Sequence, residues 1–335
     1  MSTSDMESKQ DKPANCGEIE NQHNSILAIR KIFREEIKTY SKLRPWIGFL
    51  SIATQWAIIA TTIAAAIHFS HWLIWIIAVI VISSRQHALM VLGHEAAHHR
   101  LHKNKAINDF VGEVFCLLPI FLCLKPWQQE HLAHHRNVNT AQDPYWNDFN
   151  KYKEWHWPKN KKGALKVLLR DITGRSSRDN FEVSKRWSAF GQTTVILSRY
   201  EKARVILFNT ALLASLVITG GWWLFIFLWV LPLLTVTALL VRIRGVAEHL
   251  GMPGLGSSSG IDATRHVDAS LLERLTVCPL SINYHIDHHI FPSIPYYNLK
   301  KFHQRLLAND HYRQHGQFYQ GYLSKKGVLG EVLAE

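Results

Sequence analysis

Three stretches of this chain stay apolar for longer than a soluble core requires, and that dictates the solvent it folds in. Residues 46–69 and 72–92 each run for about the length of a membrane crossing, and residues 205–241 run for much longer. A helix rises about 1.5 Å per residue, so about 20 apolar residues cross a hydrocarbon core of about 30 Å. The third stretch is too long for one crossing, and the adjacent Gly220 and Gly221 disfavour helix and favour a turn. It therefore divides into spans at about 204–220 and 222–242, with Trp222 and Trp223 as interfacial anchors. The expected fold is all-α and integral to the membrane. Four transmembrane helices form two hairpins, the first turning over Ser70 and His71.

Charge orients this arrangement. A net charge of +12 invites a nucleic-acid reading, but no nucleic-acid motif accompanies it, and basic residues collect on the cytoplasmic side of membrane proteins. Residues 151–204 hold fourteen Lys or Arg against five Asp or Glu, and Arg30, Lys31, Arg34, Lys38, Lys42 and Arg44 precede the first span. Both termini and that basic segment are expected to be cytoplasmic. The shorter apolar run at 111–124, with Pro119 inside it, is expected to be interfacial or re-entrant. The chain then divides into a polar tail and basic pre-membrane helix (1–44), a membrane domain (45–310) and a cytosolic C-terminal tail (311–335). No secretion signal is read from residues 1–25, and Cys16, Cys116, Cys123 and Cys278 have no CxxC spacing that would suggest a thiolate site or disulfide framework.

Twenty histidines are more than packing uses. His94, His98 and His99 follow the second span; His131, His134 and His135 form a second box, and His285, His288 and His289 repeat its spacing. Residues three and four apart share a helix face, so His94 can share a metal with His98 or reach toward His99. The segment between the first two boxes is too short to span, and two spans separate the second box from the third, so all three meet on one side of the membrane. His249, just after the fourth span, is placed to add another ligand.

Imidazole suits iron, zinc and copper, but zinc sites use three or four protein ligands. Nine or so histidines are better explained by two metals with open positions. Glu95, Asp143, Glu248 and Asp287 are candidates to accept the second imidazole N–H, and His87 is a candidate to line the cavity or support a ligand. His23, His156, His266, His303, His311 and His315 lack the spacing and are expected at the solvated surface. The run from His94 to His98 also matches the HExxH pattern of zinc proteases, with Glu95 as base, but that reading leaves two boxes idle. A metal transporter would carry ligands within its spans.

With the boxes in place, the chain resembles the membrane fatty acid desaturase superfamily, which includes related hydroxylases. The resemblance covers residues 44–310 and rests on the boxes at 94–99 and 131–135, Asp143-Pro144, and the run from Asn283 to Pro295. It implies a cytosolic histidine-rich cap over the four spans, two iron ions and O2 as co-substrate. The implied ligands are His94, His98 or His99, His131, His134, His135, His249, His285, His288 and His289. The implied reaction is desaturation of an acyl chain, with hydroxylation of a lipid or other hydrophobic substrate as the alternative. Substrate would be a membrane lipid or an acyl thioester of coenzyme A or of a carrier protein, with an acyl carrier protein as a candidate partner. No fused cytochrome module is visible, so electrons are expected from a separate ferredoxin-like or cytochrome b5-like donor with its reductase.

Overall fold

The protein is described here by a computed structural model covering residues 26–188, 191, 197–252, 261–324 and 327–334. Cys16, His23 and the polar segment 1–25 lie outside the described residues. The chain is mostly helical. In order, its helices are α1 (Arg34–Tyr40), α2 (Pro45–Phe69), α3 (Trp72–Ala97), α4 (Lys105–Gly112), α5 (Leu124–Asn137), α6 (Pro144–Lys151), α7 (Lys161–Ile172) and α8 (Ser177–Ser184). They continue with α9 (Arg199–Gly220), α10 (Trp222–His249), α11 (Leu271–Leu275), α12 (His285–Ile290), α13 (Tyr296–Leu306), α14 (Asp310–His315) and α15 (Val328–Val332).

Four of these, α2, α3, α9 and α10, are long and apolar enough to cross a membrane. Pro45 opens α2, where its missing N–H costs nothing. The helix ends at Ser70, whose φ of 49° is left-handed, and the His71 ring accepts the N–H of Leu73 to start α3. A capping box of Ser198 and Glu201 begins α9, and Gly221, with φ of 108°, separates it from α10. Within α10 the hydrogen bonding loosens into π-helical turns at Ile226–Val230 and Leu233–Thr237, on either side of Pro232, which has no N–H to donate. Ile59, Ala78, Ile82, Leu216, Leu228 and Trp229 form a core shared by all four helices, while Trp72, Ile76, Leu207, Ile218 and Phe227 stay exposed.

Two of the four overrun their apolar stretches. The spans were expected to end at about 92 and 242, but α3 continues to Ala97 and α10 to His249, carrying His94 and His249 out as helix. The run expected at 111–124 becomes a bent element. Residues Lys105–Ile120 and the helix Leu124–Asn137 meet at 96°. Gly112 lets this element seat on the end of α3, since a Cβ there would stand 2.1 Å from Ala96 Cβ.

Over that end of the helices sits a cap. It is tied by two short parallel ladders, β2 (Arg265–Asp268) with β3 (Gln317–Gln320), and β1 (Lys159–Asn160) with β4 (Leu333–Ala334). Residues beyond 310 are therefore hydrogen-bonded back onto the rest of the chain. Leu92, Ala96, Trp127, Phe291, Leu299 and Phe302 share the core that joins cap to helices.

Candidate metal centre

Each box presents a pair of histidines four residues apart: His94 and His98, His131 and His135, His285 and His289. On a helix such pairs lie on one face, while the residue at i+3 points about 60° to the other side of i, about 100° from its i+4 neighbour. The structure uses that difference. Candidate ligand atoms of His94, His98, His131, His135 and His288 form one group, each within 4.8 Å of the others. His134, His249 and His289 form a second, and His285 joins it through His249. The i,i+4 pair of the second box thus serves the first group and His134 the second. In the third box the roles reverse.

The ring nitrogens converge in a way hydrogen bonds cannot satisfy. His98 and His135 both bring Nε2 to His131 Nε2, at 2.9 and 3.0 Å. His249 and His289 both approach His285 Nε2, at 2.8 and 3.1 Å, and His288 approaches His135 at 3.1 Å. A neutral imidazole nitrogen carries one proton or one lone pair, so it completes one such bond and not two. Two nitrogens about 2.1 Å from a shared ion, at a right angle, would lie about 3.0 Å apart. The donor set and spacing therefore fit metal ions.

Protonation agrees. Burial above all, then Arg100 and the neighbouring rings, takes His98 down to about 3. Burial and mutual repulsion hold His131, His135, His285, His288 and His289 well below the usual histidine range. At pH 7 these rings are neutral, the form that offers a lone pair.

The anticipated supporting carboxylates take different positions. Both oxygens of Asp143 lie 2.9 Å from His134 Nδ1, so that N–H donates outward and leaves Nε2 for the centre. Asp143 is itself fixed by accepting the backbone N–H of Asn139 and Tyr145. Glu248 accepts from Arg244 Nε at 2.7 and 2.9 Å, and its other face is 3.6 Å from His285 Nε2. Asp287 turns away from the rings, accepting from the Tyr312 hydroxyl and pairing with His303 Nδ1 at 2.8 Å. Glu95 accepts the backbone N–H of Tyr296 through Oε2 at 3.1 Å, and its Oε1 stands 4.0 Å from His94 Nδ1. His87 Nδ1 lies 3.1 Å from the Thr276 carbonyl and the ring is fully buried.

His99 stays out of both groups. Its φ of 56° turns the chain left-handed after α3, and its ring faces Asn108, Gln128 and Asp109 at 3.3 to 3.4 Å. His156, His311 and His315 are exposed as expected, but His266 and His303 are buried, stacked at 4.2 Å behind the third box. That corrects the surface reading, because the β2–β3 ladder and α13 cover them. Tyr145 was not singled out either. Its ring stacks on His134 at 4.5 Å, and its hydroxyl sits 3.3 Å from His131 Nδ1. Its place two residues after Asp143 is the one local signal that could have marked it.

Comparison with known proteins follows the same lines. A family model described as "Fatty acid desaturase" matches residues 70–322. Over 280 residues the chain is 27% identical to a dihydrorhizobitoxine desaturase of Bradyrhizobium elkanii, covering 80% of this chain and 78% of the relative. It is 24% identical to an sn-1 oleoyl-lipid 12-desaturase of Anabaena variabilis, covering 71% and 70%. An sn-1 acyl-lipid omega-3 desaturase (ferredoxin) of a Nostoc strain is 26% identical, covering 73% and 70%.

Proposed function

Since the chain belongs to the fatty acid desaturase family, a group of oxidoreductases, we propose that it is a two-iron, O2-dependent desaturase that introduces a double bond into an acyl chain. The observation that carries this reading is the convergence of nine imidazoles into groups of five and four, each drawing on more than one box. When bound there, iron would supply oxygen activation for the loss of two hydrogens from a saturated carbon pair, with O2 reduced to two waters by those hydrogens together with two protons and two electrons from an external donor.

The chain's own residues supply the holding. His94, His98, His131, His135 and His288 are the proposed ligands of one ion, and His134, His249, His285 and His289 of the other. Asp143 fixes the tautomer of His134, and the Arg244–Glu248 pair stands beside His285 Nε2. His99 has no ligand role in this assignment. The four long helices pair as two antiparallel hairpins with the histidine-rich cap on the cytosolic side, a placement supported by the basic flanks.

A substrate chain is proposed to lie between the spans. An apolar groove of 620 Å³ runs between α2, the bend after α4, and α9, lined by Phe49, Ile52, Trp56, Phe115, Phe208 and Leu212. Ile52 packs in the same core as Leu92, just ahead of the first box, and Ala96, within it. The two acyl-lipid relatives support a lipid-linked chain, and the relative named for ferredoxin supports a small soluble electron carrier. Mass spectrometry of lipids from membranes expressing the chain, with and without an electron donor, tests the proposal. New donor-dependent unsaturation is the expected product. A hydroxylated product would instead assign the hydroxylase branch.

A further inference from the structure

Within the basic segment, α7 has an apolar face that no part of the described protein covers. Ala164, Val167 and Asp171 are buried beneath it, whereas Leu165, Leu169 and Ile172 are 57%, 51% and 43% exposed. Spaced at i, i+4 and i+7, the three make one stripe within about 60° of the helix circumference. Exposed lysines flank that stripe. At about 100° per residue, Lys161 lies about 40° to one side of Leu165, and Lys162 and Lys166 about 60° and 100° to the other. Among the described residues none of the three has an ion-pair partner, unlike Arg170, which binds Glu154 and Asp179.

Depth decides what meets this face. Asp171, near the end of α7, pairs with Arg242 at 3.0 Å, and Ser177 Oγ, at the start of α8, donates to the Gly174 carbonyl at 2.6 Å and stands 3.4 Å from the Leu234 carbonyl. Leu234 and Arg242 are twelve and twenty residues past Trp222, so roughly 18 to 30 Å along α10 from its far end. That is within and at the near edge of a hydrocarbon slab about 30 Å thick. The exposed apolar ridge of α10, through Ile226, Phe227, Leu231 and Leu234, therefore arrives at the foot of α7. A second element sits at similar depth. The Leu275 carbonyl of α11 accepts from Arg85, thirteen residues into α3, and Leu271, Leu272 and Leu275 are at least half exposed.

We propose that α7 lies in the plane of the membrane surface, with Leu165, Leu169 and Ile172 at the acyl-chain boundary and Lys161, Lys162 and Lys166 on the phosphates of anionic lipid headgroups. An apolar centre between lysines that reach outward is the pattern of an in-plane helix, and each lysine near an anionic surface adds to its attraction. The inference rests on the membrane-spanning reading of α2, α3, α9 and α10. A soluble acidic partner would use the lysines but would leave the leucine stripe, continuous with the lipid-facing ridge, unexplained.

The test places an environment-sensitive fluorophore at single cysteines in the full chain with Cys16 replaced by Ser; Cys116, Cys123 and Cys278 are buried. The positions are Leu169→Cys, Ile76→Cys in a span and Gln304→Cys on the exposed cap, each in bilayers of phosphatidylglycerol and phosphatidylcholine. Brominated acyl chains should quench the Leu169 and Ile76 probes, and aqueous iodide the Gln304 probe. Bromination of phosphatidylglycerol alone should quench Leu169 more than bromination of phosphatidylcholine alone. Changing Lys161, Lys162 and Lys166 to Gln should reduce that preference, by up to about fivefold per lysine. Iodide quenching at Leu169 equal to that at Gln304, with Ile76 still in lipid, would overturn the inference alone. Loss of lipid contact at Ile76 would overturn the spanning reading beneath it. Shielding of Leu169 from iodide only on addition of an acidic electron-transfer protein would assign the face to that partner.

Discussion

Ala97 ends α3, and the two histidines after it leave in different directions. His98 continues close enough to helical geometry to bring Nε2 to His131 at 2.9 Å, while the left-handed backbone of His99 aims its ring at Asn108 and Asp109. Spacing alone allowed either residue to pair with His94, because the choice depends on where a helix stops. Replacing His98 by Ala should lower bound iron by at least one ion per chain, measured by elemental analysis of purified protein. His99→Ala should retain full iron content. If the two variants lose iron equally, the assignment of ligands around the first ion fails. Asp143 offers a finer test. In Asp143→Asn the carboxylate that receives the His134 N–H becomes an amide able to present the wrong group, and loss of such a partner typically weakens metal affinity by about 10–100-fold. Chelator competition should show that weakening for one of two ions, with helix content unchanged by circular dichroism.

Hydropathy located four helices long enough to cross because a bilayer imposes a length, but it could not locate the helix ends. Backbone hydrogen bonding continues past the last apolar residue wherever the next residues tolerate it, so α3 and α10 extend into the cap and deliver ligands as rigid helix. The end of α10 depends on a residue with no local signature. Arg265 is fully buried, with Nη1 3.2 Å from the Ala247 carbonyl and 2.6 Å from that of Leu250, and Nη2 2.9 Å from that of Gly251. Those carbonyls close the helix that carries His249. Its other partner is Glu331 at 3.1 Å, supplied by a segment that reads locally as a polar tail. Parallel pairing of β2 with β3 joins residues about fifty apart, and no short-range pattern announces it. Arg265→Met would leave buried carbonyls unpaired and should destabilise the fold by about 3 kcal/mol or more. Glu331→Gln, at a partly exposed carboxylate, should cost about 1 kcal/mol or less. Iron retention after graded heating should fall for the first variant well before the second.

For the whole molecule, the proposed four crossings would put residues 26–44 and the segment beyond 310 on one side, and the ligands leave α3 and α10 at the same end as the cap. Part of the basic charge read as setting orientation is also structural. Arg170 pairs with Glu154 and Asp179, and Arg186 with Glu130 and Asp148, so residues 151–188 are a folded part of the cap rather than a charged loop. Its net charge was legible in the sequence; its ion pairs, which join residues far apart, were not. Insertion still responds to the positive charge near the ends of the spans. In intact cells, single cysteines at Ser70 and Thr219, beside the two charge-poor turns, should react with a membrane-impermeant maleimide. Cysteines at Lys162 and Gln304 should react only after the membrane is permeabilised. All four positions are assayed in the same cysteine-depleted background, so a failure of expression would remove every signal and not mimic a result. Labelling of Lys162 and Gln304 from outside, with Ser70 protected, would invert the molecule and place the histidine centre away from cytosolic electron donors. Labelling of Lys162 but not Gln304 would put the second and third boxes on opposite faces and break the four-crossing reading itself.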